Sequence, residues 1–257
     1  MPTPSFILSF LILLLTTLFV SLFTQRPHAN LTLTILQLRL LYVLPAVHPT
    51  RPLPRKRGTP TRILIVLGSG GHTAEMLSLL ADLDPLSYTH RSYVVSSGDD
   101  FSARKAAEFE RELARRSNDA PAGYDIRFVP RARRIHQSLL TTPLSSLHCL
   151  FACFAILRCP SNPSSPSTPS TYPDLILTNG PATATVLVFA SLLLRFLSLS
   201  GTSGKMRNIY VESWARVKGL SLSGKILVAV GACERVLVQW EGLSKAGRGE
   251  FRGVLVR

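Results

Sequence analysis

Residues Arg62 to Met76 read Arg-Ile-Leu-Ile-Val-Leu-Gly-Ser-Gly-Gly-His-Thr-Ala-Glu-Met, and they constrain the fold more than any other stretch. Ile63 to Leu67 is an apolar, β-branched run, the pattern of a parallel strand covered on both faces. Gly68, Gly70 and Gly71 then allow a tight turn and let a ligand approach the main chain. The helix that should follow, Thr73 to Leu83, aims its free N–H groups and positive dipole end into that turn. Strand, glycine turn and helix together make a seat for an anion.

The turn is not one of the familiar nucleotide loops. It lacks the Gly-Lys-Ser/Thr ending of a P-loop, and Thr73 stands where the dinucleotide fingerprint needs its third glycine. His72 sits at the mouth of the helix, where a neutral imidazole can accept a proton. A second reading gives it only a hydrogen bond within the turn.

Further along, apolar runs alternate with helical stretches. The strands expected are Arg62–Leu67, Arg91–Ser96, Asp125–Val129, Asp174–Thr178, Asn208–Glu212 and Arg235–Gln239. The helices expected are Thr73–Leu83, Phe101–Arg116, Gln137–Leu157 and Pro181–Leu199. That alternation predicts an α/β fold, a Rossmann-like doubly wound parallel sheet, in one domain over 62–257. Residues 158–173 form a Ser/Pro-rich insert of low complexity, expected to be disordered. The helix Pro181–Leu199 is apolar enough to resemble a membrane span, but it follows a strand and carries Arg195, so it should lie buried against the sheet. Gln137–Leu157 is equally apolar, and contact with a bilayer stays open for it.

The strand at Asp174 ends in Asn179-Gly180-Pro181-Ala182-Thr183, again a glycine turn with proline opening a helix. Ligands of open α/β sheets collect at the carboxyl ends of the strands, so this loop and Gly68–Thr73 should face one crevice. Glu212, at the end of a further strand, is the carboxylate to place there. Its alternative is an ion pair with Arg216 or Lys218. Arg131, Arg133 and Arg134 can meet phosphate or lipid headgroups, or form a solvated basic loop.

Before the domain, Ser5 to Phe23 is an apolar run without a charge, and about 20 such residues span a bilayer as a helix. Neither a basic start nor a small-residue cleavage site is present, so a retained anchor is expected rather than a cleaved signal peptide. Arg26, Arg39, Arg51, Arg55, Lys56 and Arg57 follow it, which orients the body to the cytosol. The organisation expected is a short lumenal tail (1–4), an anchor (5–23), and an interfacial amphipathic helix at Leu31–Val47 with a basic linker (24–61). A net charge of +14 suits an anionic leaflet or a pyrophosphate substrate. No zinc-ligand spacing or nucleic-acid signature is present, so neither metal nor nucleic acid is expected. The four cysteines fit a reducing compartment.

Six ordered blocks carry a resemblance. They are Gly-Ser-Gly-Gly-His-Thr-Ala-Glu-Met, Val-Pro-Arg-Ala-Arg-Arg (129–134), Leu-Thr-Asn-Gly-Pro-Ala-Thr (177–183), Tyr-Val-Glu-Ser (210–213), Leu-Ser-Leu-Ser-Gly-Lys-Ile-Leu (220–227) and Val-Gln-Trp (238–240). The chain resembles the membrane-anchoring subunit of the two-subunit N-acetylglucosaminyltransferase of dolichol-linked oligosaccharide synthesis. The resemblance implies the N-terminal half of a GT-B glycosyltransferase. It implies a soluble UDP-N-acetylglucosamine-binding catalytic subunit as partner and no cofactor. The product would be the second N-acetylglucosamine on N-acetylglucosaminyl-diphosphodolichol. The place implied is the cytosolic face of the endoplasmic reticulum membrane, extending to the nuclear envelope, and the chain alone would be inactive.

Carried onto this chain, the resemblance implies acceptor and diphosphate contacts at Gly68, Ser69, Gly70, Gly71, Thr73, Asn179, Gly180, Pro181 and Thr183. His72 is the first candidate base and Glu212 the second. The partner would be held by the tail through Phe251, Val254, Leu255 and Val256; the alternative for that tail is a final edge strand of the chain's own sheet. Two other readings stand beside the subunit: a stand-alone lipid-linked sugar transferase, and a scaffold with no part in the chemistry.

Overall fold

The computed structural model describes residues 27–48, 61–85, 87–116, 123–133, 137–138, 140–158, 172–180, 182–197 and 202–256. The expected anchor at 5–23, Pro181, Arg134 and nearly all of the Ser/Pro insert lie outside the described residues. In chain order the elements are α1 (Pro27–Val43), β1 (Arg62–Leu67), α2 (Gly71–Leu79), β2 (His90–Ser96), α3 (Asp100–Arg116), β3 (Gly123–Val129) and α4 (Thr142–Arg158). There follow β4 (Leu175–Asn179), α5 (Ala182–Phe196), β5 (Arg207–Val211), α6 (Leu222–Val230), β6 (Arg235–Val238), α7 (Glu241–Lys245) and β7 (Glu250–Phe251).

All seven strands run parallel in the order β3-β2-β1-β4-β5-β6-β7. The six expected strands are all present, shifted by a residue or two at their ends. The order reverses between β1 and β4, the switch point where open α/β sheets leave a crevice. β1 shows why the sheet is stable. Ile63, Ile65 and Leu67 pack on one face with Met76, Leu80 and Ala106. Leu64 and Val66 pack on the other with Cys149, Cys153, Ala184 and Leu187. Side chains alternate across a strand, so a wholly apolar run serves both layers.

The covering helices follow from their sequences. α3 turns Ser102, Ala106, Glu110 and Leu113 inward, one face of a helical repeat. Glu110 is only 3% exposed and meets Arg91 through Nε and Nη2 at 2.6 Å each, with the Tyr93 hydroxyl also at 2.6 Å. Burial and the Glu110 charge raise the Tyr93 phenol far above its ordinary range. α5 lies buried against the sheet as expected, with nine of its residues enclosed, including Leu187, Val188 and Leu192. α4 buries Cys149, Cys153, Ile156 and Leu157 yet leaves Leu144, Leu147 and Phe151 exposed.

The N-terminal helix corrects one expectation. α1 is a helix but not an amphipathic one, because its apolar and polar residues alternate nearly every second position and do not separate onto two sides of a 3.6-residue repeat. Leu31, Ile35, Leu36, Leu38, Leu40 and Tyr42 are exposed. Of its polar residues Gln37 and Arg39 are half-buried, whereas Thr32 and Thr34 are exposed. Arg39 donates from Nε to the Phe196 carbonyl and lies 5.8 Å from the Phe196 ring centre. Val43 and Leu44 then enter the core beside Val188, Leu192, Tyr210 and Leu227. Among the described residues no helix is long and apolar enough to cross a membrane.

Candidate functional site

The crevice at the switch point is bounded by the ends of β1, β4 and β5. From β1 the chain enters the turn 68–70, whose Gly70 has φ +62°, a left-handed conformation that favours glycine. Gly70 is also the N-cap of α2 and offers no side chain to close the helix. The first N–H groups of a helix lack i−4 partners; here the Thr73 amide already meets the Gly70 carbonyl at 3.1 Å, and no side chain caps those before it. A Cβ on Gly70 or on Gly71 would meet nothing within 4 Å. Ser69, Gly70 and Gly71 are exposed, while Gly68 is buried. The anion seat expected from the sequence is therefore open.

Two expected contact residues serve as braces. Thr73 is buried, donates to the Gly68 carbonyl and lies 2.7 Å from the Ser102 hydroxyl. Ser102 in turn is held by Asp99, which caps α3. Thr183 is buried too, with its hydroxyl 3.4 Å from Ser96 and from the Ala132 amide, which it accepts. These bonds tie the β1 turn and the 130–133 loop to the frame. Within that loop Arg131 donates to the Ser97 carbonyl and Arg133 to that of Gln137.

β4 delivers Asn179 and Gly180 against the turn. The Asn179 amide donates to the His72 carbonyl at 2.8 Å, and its Oδ1 is buried with no partner. Gly180 has φ +72°, and a Cβ there would lie 2.7–2.9 Å from Cγ, Nδ1 and Cδ2 of His72. The His72 ring thus rests on the Gly180 main chain. Its Nδ1 is buried and unpaired although the side chain is 36% exposed, so the exposure falls on the rest of the ring.

The sequence did not mark Glu75 as a functional residue, yet it completes the cluster. Its Oε1 accepts from the Ser213 hydroxyl at 2.8 Å, and its Oε2 lies 3.7 Å from His72 Nδ1 with no hydrogen bond of its own. The signal was present as the i, i+3 spacing from His72, which puts two helical side chains on one face. Three orphaned buried polar atoms, on His72, Glu75 and Asn179, gather at one switch point. Buried polar groups are ordinarily hydrogen-bonded, so the cluster is the candidate place for a ligand.

Glu212 stands apart from that cluster. It is 1% exposed; its Oε2 accepts from the Ser221 amide at 2.9 Å and hydroxyl at 3.1 Å, and its Oε1 from the Ser213 amide at 3.2 Å. Among the described residues it has no ion pair with Arg216 or Lys218. The carboxylate caps the start of α6, a helix the sequence reading did not include. Burial and the nearby Glu212 charge push the Tyr210 phenol well up from its usual value, while its hydroxyl lies 3.0 Å from Ser221.

The tail also turns back on its own domain. β7 adds Phe251 to the sheet edge opposite Val238, as the edge-strand alternative for the tail has it. The amides of Leu255 and Val256 both donate to Gln239 Oε1 at 3.2 Å, and Gln239 donates to the Glu212 carbonyl. Val256 then lines the crevice with Glu75, Asn179 and Gln239. Val254 is 52% exposed, whereas Leu255 packs into the core.

Fold and site together define a doubly wound α/β domain with an open glycine cradle and an imidazole at the switch point. The family model described as "Oligosaccharide biosynthesis protein Alg14 like" matches residues 63–255. The chain belongs to that family. It is similar to the UDP-N-acetylglucosamine transferase subunit alg14 of Aspergillus fumigatus, 43% identical over 67% of this chain and 91% of the relative. It is similar also to the subunit of that name in Yarrowia lipolytica, 39% identical over 89% and 96%. A crystal structure of MurG from Acinetobacter baumannii aligns with a TM-score of 0.44 and 13% identity, over 70% of this chain and 41% of that one.

Proposed function

We propose that this chain is the membrane-anchoring, acceptor-binding subunit of a heteromeric glycosyltransferase. It presents N-acetylglucosaminyl-diphosphodolichol to a soluble subunit carrying UDP-N-acetylglucosamine, on the cytosolic face of the endoplasmic reticulum. The names of the relatives, all transferase subunits, support the heteromer. The apolar run at 5–23, the outward leucines of α1 and the exposed face of α4 support the membrane.

One observation carries the reading: an uncapped helix start, an exposed imidazole edge and the unpaired Asn179 Oδ1 meet at a single crevice. The acceptor diphosphate lies against the 68–71 turn, where the α2 dipole favours negative charge. His72 takes the proton of the acceptor hydroxyl as the sugar transfers. Glu212, engaged on both oxygens by α6 and Ser213, positions this wall and does not react. Val254 is the part of the tail most open to the partner.

The test is reconstitution of the full chain in lipid with and without the soluble subunit. Transfer to the lipid acceptor only in the complex, with acceptor binding by this chain alone, is the expected result. Turnover by the purified chain alone would overturn it in favour of a stand-alone transferase. Unchanged turnover in His72→Ala and Gly71→Ala complexes would leave only a scaffold.

A further inference from the structure

His72 and Glu75 lie on one face of α2, with Nδ1 and Oε2 3.7 Å apart, within ion-pair range and too far for a hydrogen bond. Both facing atoms, Nδ1 and Oε2, are buried and unpaired. Each lacks any other partner of the complementary kind. The imidazole rests on Gly180 through Cγ, Nδ1 and Cδ2, which leaves the Nε2 edge for the open side of the crevice. On the far side Ser213 fixes Glu75 Oε1 at 2.8 Å, and the Ser213 amide is itself held by Glu212. The carboxylate is therefore steadied from the loop after β5, with its second oxygen facing the imidazole.

We propose that Glu75 is the positioning carboxylate of His72. Its Oε2 accepts the Nδ1 proton, which holds the ring in the tautomer whose Nε2 is unprotonated and turned to the acceptor. A contact of 3.7 Å tightens by a small side-chain rotation, as catalytic hydrogen bonds do when substrate arrives. This deepens the proposed function and rests on it for the identity of the reaction. In that reaction the bond from the sugar C1 to the nucleotide phosphate oxygen breaks, and its electron pair leaves with the nucleoside diphosphate. The acceptor hydroxyl oxygen forms the new bond to C1 and gives its proton to Nε2. Glu75 faces the resulting imidazolium, which returns the proton to solvent after product leaves.

The experiment uses the full chain in detergent, labelled with 15N-histidine, and the complex with its soluble subunit. His72 signals are assigned by their loss in His72→Ala. In the wild type the neutral ring should carry its proton on Nδ1. Glu75→Gln, which keeps an acceptor oxygen, should preserve that tautomer and lower kcat about tenfold. Glu75→Met, which keeps the bulk without an acceptor, should shift the proton to Nε2 and lower kcat about a hundredfold, with the acceptor KM within about twofold in both. A Met variant whose tautomer matches the wild type would overturn the proposal, as would one that keeps full kcat. Should His72→Ala retain turnover, the base reading would fall, and the 15N comparison would still decide the Glu75 contact alone.

Discussion

Two helices in this sheet begin at the carboxyl end of a strand, and they treat their exposed N–H groups in opposite ways. α2 starts at Gly70, with no capping side chain and open space around Gly70 and Gly71. α6 starts at Ser221, whose hydroxyl accepts from the Gly224 amide at 3.0 Å, and Glu212 adds a buried carboxylate on the Ser221 amide. Both ends attract negative charge for the same dipolar reason. One is filled by the chain's own carboxylate and so belongs to folding. The other carries no capping side chain and stays open. The difference teaches that an acidic residue at a strand end need not be chemistry: Glu212 is the internal counterpart of the anion proposed for α2.

Substitutions can break that contrast. The largest effect is expected for Glu212→Leu, which strands the Ser221 and Ser213 amides; unfolding of the full chain in urea should lose about 3 kcal/mol. A loss under about 1 kcal/mol would mean that α6 does not depend on its carboxylate. Gly224→Ala comes next. In an ordinary exposed helix this change stabilises by about 1 kcal/mol, but here the new Cβ would collide with Glu212 Oε2. The sign should reverse, to a loss of about 2 kcal/mol; a stabilised protein would refute the cap geometry.

Asp125 offers a third carboxylate fixed by protein alone, at the β2–β3 edge. Burial would raise its carboxyl, but hydrogen bonds from His90, Ser92 and Arg127 outweigh that and bring it from 3.8 to about 2. A lowered native value gives stability that is complete above about pH 4 and is lost as pH falls toward 2. Asp125→Asn should flatten acid unfolding in that window and cost about 2 kcal/mol at neutral pH. An unaltered acid midpoint would remove the contribution. The smallest effect on stability belongs to Gly71→Ala at the open helix: within about 0.5 kcal/mol, because nothing stands near the new methyl group. Acceptor KM should nonetheless rise, about tenfold, because the methyl group enters the ligand's space. An unchanged KM would show that no ligand approaches there.

The legible parts of this molecule were those that sequence neighbours determine. Ile63–Leu67 declares a buried strand, and the glycines after it declare a turn. Asn179-Gly180 declares the facing loop, because strand ends and positive-φ glycines are local properties. What stayed hidden depends on residues far apart in sequence. Glu212 gains its role from Ser221, the N-cap of α6, a helix that its short apolar run did not announce. Glu75 was visible in the motif, but its value comes from Ser213, which lies 138 positions away. α1 misled in another way: its composition suits an amphipathic helix, while its alternation spreads leucines round the axis and leaves Arg39 to find Phe196.

The short stretch after α1 sets a limit on how this protein can be cut. Val43 and Leu44 are core residues, the Arg195 guanidinium holds the Val43 carbonyl at 3.1 Å, and the Ala46 amide donates to the Gly231 carbonyl at 3.2 Å. An expression fragment begun at Arg62, where the composition changes, would bare Val188, Leu192 and Leu227 on its surface. Such a fragment should aggregate or melt early. A usable piece has to keep Val43 to Ala46, so the stretch that closes α1 is a building block of the domain.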